Sequence, residues 1–154
     1  MDLGDLITPE GVIPSLKANS KKQALQELSS FAAKLTGLGQ RDIFDTLLQR
    51  ERLGSTGVGH GIAIPHGKIS ELKQIFALFA RIDAPIDFDS IDDEPVDIIF
   101  LLLAPEGAGA DHLKALARIS RLLRDPSAIE KLRFSKGRSA LYSVLTEPLA
   151  SDAA

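Results

Sequence analysis

Apolar side chains along this chain follow two rhythms, and the change from one to the other marks its elements. Ala24, Leu25, Leu28, Phe31, Ala32 and Leu35 recur at steps of three and four, the spacing of one helix face. Asn19 or Ser20 before them suits an N-cap, and Gly37 and Gly39 after them supply a stop. Ile43, Phe44, Leu47 and Leu48 repeat the pattern and predict a second helix over 42–52. Gly54 ends it, and Arg50 and Arg52 complement the negative end of its dipole. Farther on the helical spacing gives way to two nearly unbroken apolar runs, 74–82 (QIFALFARI) and 96–103 (VDIIFLLL). Such runs are expected of central strands covered on both faces. The acidic, polar stretch 83–94 between them predicts a surface connection.

Residues 12–16 read as a short strand, which Pro14 confines to a sheet edge or an irregular piece. Asp111 is an expected N-cap for a helix over 112–123. Its inward stripe reads as Leu113, Leu116, Ala117, Ser120 and Leu123 or Arg124. Asp125-Pro126 breaks it, a short helix follows near 127–132, and a last one near 137–145. Helices on both sides of apolar strands predict an α/β fold, a single three-layer domain. The domain is expected to span 1–148, with 149–154 as a flexible tail. Strand order does not follow from the pattern.

Composition narrows the classes. The chain has 154 residues, 44% hydrophobic and 25% charged, which suits one globular domain. No run of 18 apolar residues is present, so no membrane insertion is expected. The N-terminus MDLGDLITPEG lacks the basic-then-apolar pattern of a signal peptide. The absence of cysteine excludes disulfides, zinc-thiolate sites and thiol catalysis. Together these predict a cytoplasmic protein. A net charge of −3 without a basic tract argues against nucleic acid. A mildly acidic surface suits a basic protein partner.

Residues 54–67 differ in kind, with Gly54, Gly57, Gly59, Gly61 and Gly67 around a short apolar piece, 62–65. The expected arrangement is loop, short strand, loop. A Walker A loop fails, because His66 stands where its second glycine belongs. A dinucleotide fingerprint fails too, because no helix pattern follows the alternating glycines. His60, His66 and His112 are set aside as a metal site, because nothing regular aligns the first two. No cofactor is expected.

What remains is His66 itself. Neutral imidazole is a good nucleophile near neutral pH, and phosphoryl transfer needs little beyond positioning and charge stabilisation. Pro65 restricts the chain before His66, and Gly67 leaves room for an incoming group. Ser55 and Thr56 hydroxyls, glycine N–H groups and a guanidinium are candidate donors to phosphoryl oxygens. Ile62 and Ile64, if exposed, offer apolar docking area. Spacing alone leaves two readings of His66 open, a nucleophile or a loop histidine with no special role. His60, between two glycines, is expected in solvent, as is Lys68. His112 would be kept neutral by a helix N-terminus and able to donate to a phosphoryl group. An ordinary first-turn residue is the other reading of His112, and a surface dipole partner the other reading of Arg50.

The run RERLGSTGVGHGIAIPHGK resembles the enzyme IIA domains of the bacterial phosphotransferase system, mannitol/fructose class. The likeness extends from DLITPEGVIPSLKANSKKQALQELS through VDIIFLLLAPEGAGADHLKALARIS and is nearest to the nitrogen-regulatory subtype. It implies a mixed β-sheet with helices on both faces. It implies that His66 carries the phosphoryl group on Nε2, that Arg50 helps hold it, and that His112 lies beside it. It implies an HPr-like phosphocarrier as donor, itself charged from phosphoenolpyruvate through an enzyme I homologue. The nitrogen-regulatory members bind target proteins such as kinases or transporters according to their phosphorylation state. The alternative is a sugar-specific component that passes the group to a separate IIB.

Overall fold

Strand β6 (Val96–Ala104) runs through the middle of one mixed sheet in the computed structural model, which describes residues 2–147. The tail 149–154 lies outside the described residues. Ile98, Phe100 and Leu102 of β6 face one side, Ile99, Leu101 and Leu103 the other, and all six are fully buried. Each buried side chain of this size contributes about 1.5–3 kcal/mol. Strand β5 (Phe76–Ile86) pairs antiparallel with β6, and β1 (Val12–Leu16) pairs parallel with β5 at the sheet edge. Pro14 sits where the β1–β5 register shifts, so its missing N–H interrupts no regular ladder.

The opposite side of β6 is lined by a broken strand. β3 (Ile62–Ala63) pairs parallel with Ile98 and Ile99, and β4 (His66–Lys68) pairs parallel with 102–104. Ile64 and Pro65 join them, and Leu102 donates its N–H to Pro65 at 3.0 Å. Strand β2 (Gly57–Gly59) completes an antiparallel hairpin with β3. The segment expected as loop, strand, loop is therefore hairpin and strand, and His66 belongs to a strand. The turn residues His60 and Gly61 both have positive φ, 57° and 79°. That is the geometry of a type I′ hairpin.

Helices α1 (Lys21–Thr36) and α2 (Gln40–Arg52) cover one face of the sheet. Ser20 caps α1 by accepting from the Gln23 N–H at 3.1 Å. Gly39 caps the start of α2 and does not end α1, which stops at Gly37. Leu35 is 41% exposed and leaves the predicted stripe. Helices α3 (Ala110–Leu123), α4 (Pro126–Phe134) and α5 (Gly137–Thr146) cover the other face, with two short 3-10 turns at Leu3–Asp5 and Pro9–Gly11. The three-layer mixed-sheet expectation holds.

Three local expectations fail. The N-cap of α3 is Gly109, and Asp111 lies within the first turn. The buried positions of α3 are His112, Ala115, Arg118, Ile119, Leu122 and Leu123, while Leu113 is 66% exposed. The inward face is rotated because it must meet the sheet beside β6, which periodicity alone does not specify. Residues 83–94 are not a surface connection throughout: β5 continues to Ile86, and Phe88 is fully buried. Arg81, inside the apolar run of β5, is satisfied by carbonyls of Pro14, Leu132 and Ser135 at 3.1, 2.9 and 2.6 Å. It so ties the end of α4 to the sheet.

Candidate functional site

His66 opens β4, at the start of its parallel pairing with β6 and opposite Leu102, which lies near the C-terminal end of β6. Its Nδ1 lies 2.9 Å from the carbonyl of Ile64. A carbonyl oxygen only accepts, so Nδ1 carries the proton. Its Nε2 lies 3.3 Å from Nε of Arg50, which only donates. The two contacts agree on one tautomer, with the free lone pair on Nε2 and turned toward a guanidinium.

Arg50 reaches His66 because of how α2 meets β4. A Cβ on Gly67 would lie 2.6 Å from Cγ2 of Thr46, so glycine is what lets helix and strand touch. Gly67 thus makes room for α2 and not for an incoming group. One turn after Thr46, α2 presents Arg50. Its Nη1 donates to the carbonyl of Gly54 at 2.9 Å, which fixes the guanidinium from the far side.

His112 arrives from the first turn of α3. Its ring centroid is 5.8 Å from that of His66, at a tilt of 55°. His112 is buried, and among the described residues its Nδ1 has no hydrogen-bond partner. Burial pushes its pKa down, and the neighbouring His66 ring and the Lys68 ammonium push the same way. The neutral form expected from sequence is favoured, with desolvation rather than the helix dipole as the main cause.

Ser55 and Thr56 are close in sequence to Arg50 but serve the loop. Ser55 Oγ donates to the Phe88 carbonyl at 2.6 Å, and Thr56 Oγ1 donates to Glu51 at 2.5 Å. Neither hydroxyl hydrogen is directed at His66. Ile62 and Ile64 are 3% and 6% exposed, so they belong to the core and offer no docking area. Exposed apolar surface is supplied instead by Leu53 at the end of α2 and Leu113 beside His112, 85% and 66% exposed. His60 is exposed at the hairpin turn, where its N–H donates to Asp92 and its carbonyl accepts from Arg133. Among the described residues no group of histidine, cysteine or carboxylate side chains could hold a metal ion. The described helices include none long and apolar enough to cross a membrane.

Sequence reasoning missed Glu51, which is buried between two arginines in the last turn of α2. A carboxylate at the negative end of a helix dipole is unfavourable there, and that anomaly was the available signal. A cavity of about 1150 Å3 lies between the β2–β3 hairpin and the α3–α4 junction, and its lining includes Ile64 but not Arg50, His66 or His112.

The chain is similar to known proteins along nearly its whole length. Residues 5–147 match the family model for the phosphoenolpyruvate-dependent sugar phosphotransferase system, EIIA 2. The chain is 63% identical to a nitrogen regulatory protein of Bradyrhizobium diazoefficiens over 99% of its own length and 100% of that protein. It is 36% identical to a fructose-specific EIIA component of Haloferax volcanii, covering 96% of this chain and 98% of that one. The crystal structure of nitrogen regulatory protein IIA-Ntr from Neisseria meningitidis superposes with a TM-score of 0.89 at 33% identity, over 94% of this chain and 99% of that one.

Proposed function

The chain belongs to the EIIA type 2 family of the phosphotransferase system and is of the nitrogen-regulatory type, and from that premise we propose that it accepts a phosphoryl group on Nε2 of His66. The donor is an HPr-like phosphocarrier bearing a phosphohistidine. In the transfer the carrier's N–P bond breaks as the lone pair of His66 Nε2 forms a new one. The carrier imidazole recovers its lone pair, and the proton on Nδ1 of His66 stays there, hydrogen-bonded to the Ile64 carbonyl. The observation that carries this reading is the tautomer: both hydrogen bonds of His66 favour a bare Nε2 facing Arg50.

Arg50 then turns from the nitrogen lone pair to a phosphoryl oxygen, a charge-assisted bond. Neutral His112 donates to a second oxygen. Leu53, next after α2, and Leu113, next to His112 in the chain, are exposed and form the apolar part of the docking face. Phosphorylation adds a charge of about −2 to this face. Regulatory targets, such as kinases or transporters, then distinguish the two forms by charge. The relative named as a fructose-specific EIIA component supports a second reading, in which the group moves on to a separate IIB.

The test mixes the chain with phosphoenolpyruvate, enzyme I and the carrier. The expected product is an acid-labile, base-stable phosphate, absent in His66→Ala. Label on folded His66→Ala would contradict the assignment. Label chased stoichiometrically into a IIB protein would favour the second reading, and capture of different targets by the two forms the first.

A further inference from the structure

We propose that Glu51 is the positioning residue of this site, its buried carboxylate setting both the guanidinium of Arg50 and the imidazole of His66. The inference rests on His66 being the phosphoryl acceptor. Glu51 is 7% exposed and sits where the helix dipole opposes it. A desolvated carboxylate is costly unless its oxygens are fully engaged. Here they are. Oε1 accepts from the Thr56 N–H at 3.0 Å and lies 3.0 Å from the Lys21 ammonium, and Oε2 accepts from the Thr56 hydroxyl at 2.5 Å. Lys21 is itself held over the Phe88 ring, 4.9 Å from its centroid, and lies 3.7 Å from Asp89.

Two branches lead from Glu51 to the reacting nitrogen. Through Thr56, the first continues as the Ile64 N–H donating to the Thr56 carbonyl at 2.9 Å. The Ile64 carbonyl in turn accepts from Nδ1 of His66. The second runs through the turn after α2. With Thr56 pinned, the Gly54 carbonyl stays where Nη1 of Arg50 needs it, and Nε of Arg50 then meets Nε2 of His66. The branches close a ring around the imidazole, one fixing its protonated nitrogen and the other its bare nitrogen. Glu51 touches neither phosphoryl group nor carrier. It works by holding two groups in register, and sub-ångström register governs transfer rate.

Glu51→Gln removes the charge and turns one acceptor into a donor. In the full chain, it should lower kcat for phosphoryl uptake about tenfold and leave KM for the carrier unchanged, as expected of a misplaced reacting group. In an Arg50→Ala background the same change should slow uptake by clearly less than tenfold, because one of its two targets is already gone and only the branch to Nδ1 of His66 remains. Nitrogen-15 shifts of His66 should show one tautomer, protonated on Nδ1, in the wild type and a mixture of both in Glu51→Gln. Thr56→Val, which deletes only the hydroxyl, should move rate and tautomer the same way by a smaller amount and serves if Glu51→Gln does not fold. A folded variant with wild-type rate and tautomer would overturn the inference, as would equal slowing in both backgrounds. If the wild-type chain takes up no phosphate, the functional reading falls, and the tautomer comparison still decides whether Glu51 positions His66.

Discussion

The β5–β6 pair and the glycine-rich segment 54–68 lie in one sheet, yet they are specified in different ways. Strands β5 and β6 are long, and their side chains are buried almost without exception along β6. Their conformation follows from what each residue is. The segment 54–68 has no strand longer than three residues, and its course follows from what each residue touches. Gly61 turns the hairpin with a φ of 79°, beside the Arg133–Asp97 ion pair. Gly67 admits Thr46, and Thr56 is fastened by Glu51. The apolar pair gives the fold its stability. The glycine segment uses that rigidity to hold an imidazole, a guanidinium and a neutral histidine at the end of the sheet.

The comparison breaks first on stability. Leu101→Ala in β6 removes a fully buried side chain, and the cost should be about 2–5 kcal/mol. Urea unfolding should show this loss, while phosphoryl uptake per folded molecule stays at the wild-type rate. A cost under about 1 kcal/mol would mean that the core relaxes around the site far more than close packing allows. Gly67→Ala should cost less, about 1–3 kcal/mol, by forcing a methyl group against Thr46. Thr46 cannot rotate away cheaply, since its hydroxyl donates to the Asp42 carbonyl at 2.8 Å. Unlike Leu101→Ala, this change should also slow uptake in the folded protein, because displacing α2 displaces Arg50. Thr46→Ala in the same chain should recover much of both losses. No recovery would show that the α2–β4 contact is not what Gly67 serves.

The same difference explains what was legible from sequence. Residues of β5 and β6, the two N-terminal helices and the break at Asp125-Pro126 could be read because local pattern and tertiary role agree there. His66 and Arg50 were found through their motif, and the structure brings them to 3.3 Å. The roles of Ser55 and Thr56 were not legible, because a hydroxyl in a loop looks the same whether it faces solvent or a buried carboxylate. Whether Ile62 and Ile64 are exposed could not be read, because a four-residue apolar piece shows no face of its own. Phe88 was missed inside an acidic stretch, where one aromatic residue among carboxylates gives no periodicity. Leu113 and His112 exchange places relative to the predicted stripe of α3. That rotation brings His112 inward to His66 and leaves Leu113 outside, so the error and the function have one cause.

The smallest expected effect concerns pH and separates the two regions by charge. Burial lowers the pKa of His112 in the folded chain, and the unfolded chain titrates it near its ordinary value, about 6.5. As pH falls through that value, the unfolded state therefore binds the proton first, and stability is lost. The loss should accumulate between about pH 6.5 and the lower folded value, and end once both states are protonated. His112→Gln removes the titrating group, so its stability should fall less between pH 7.5 and the acid side than that of the wild type. Leu101→Ala removes no charge, so its curve should lie below the wild type and run parallel to it. Parallel curves for wild type and His112→Gln would mean that His112 is not held neutral in the folded chain. His112 would then titrate alike in the folded and unfolded chain, and the division between an apolar core and a polar site tuned by burial would lose its clearest support.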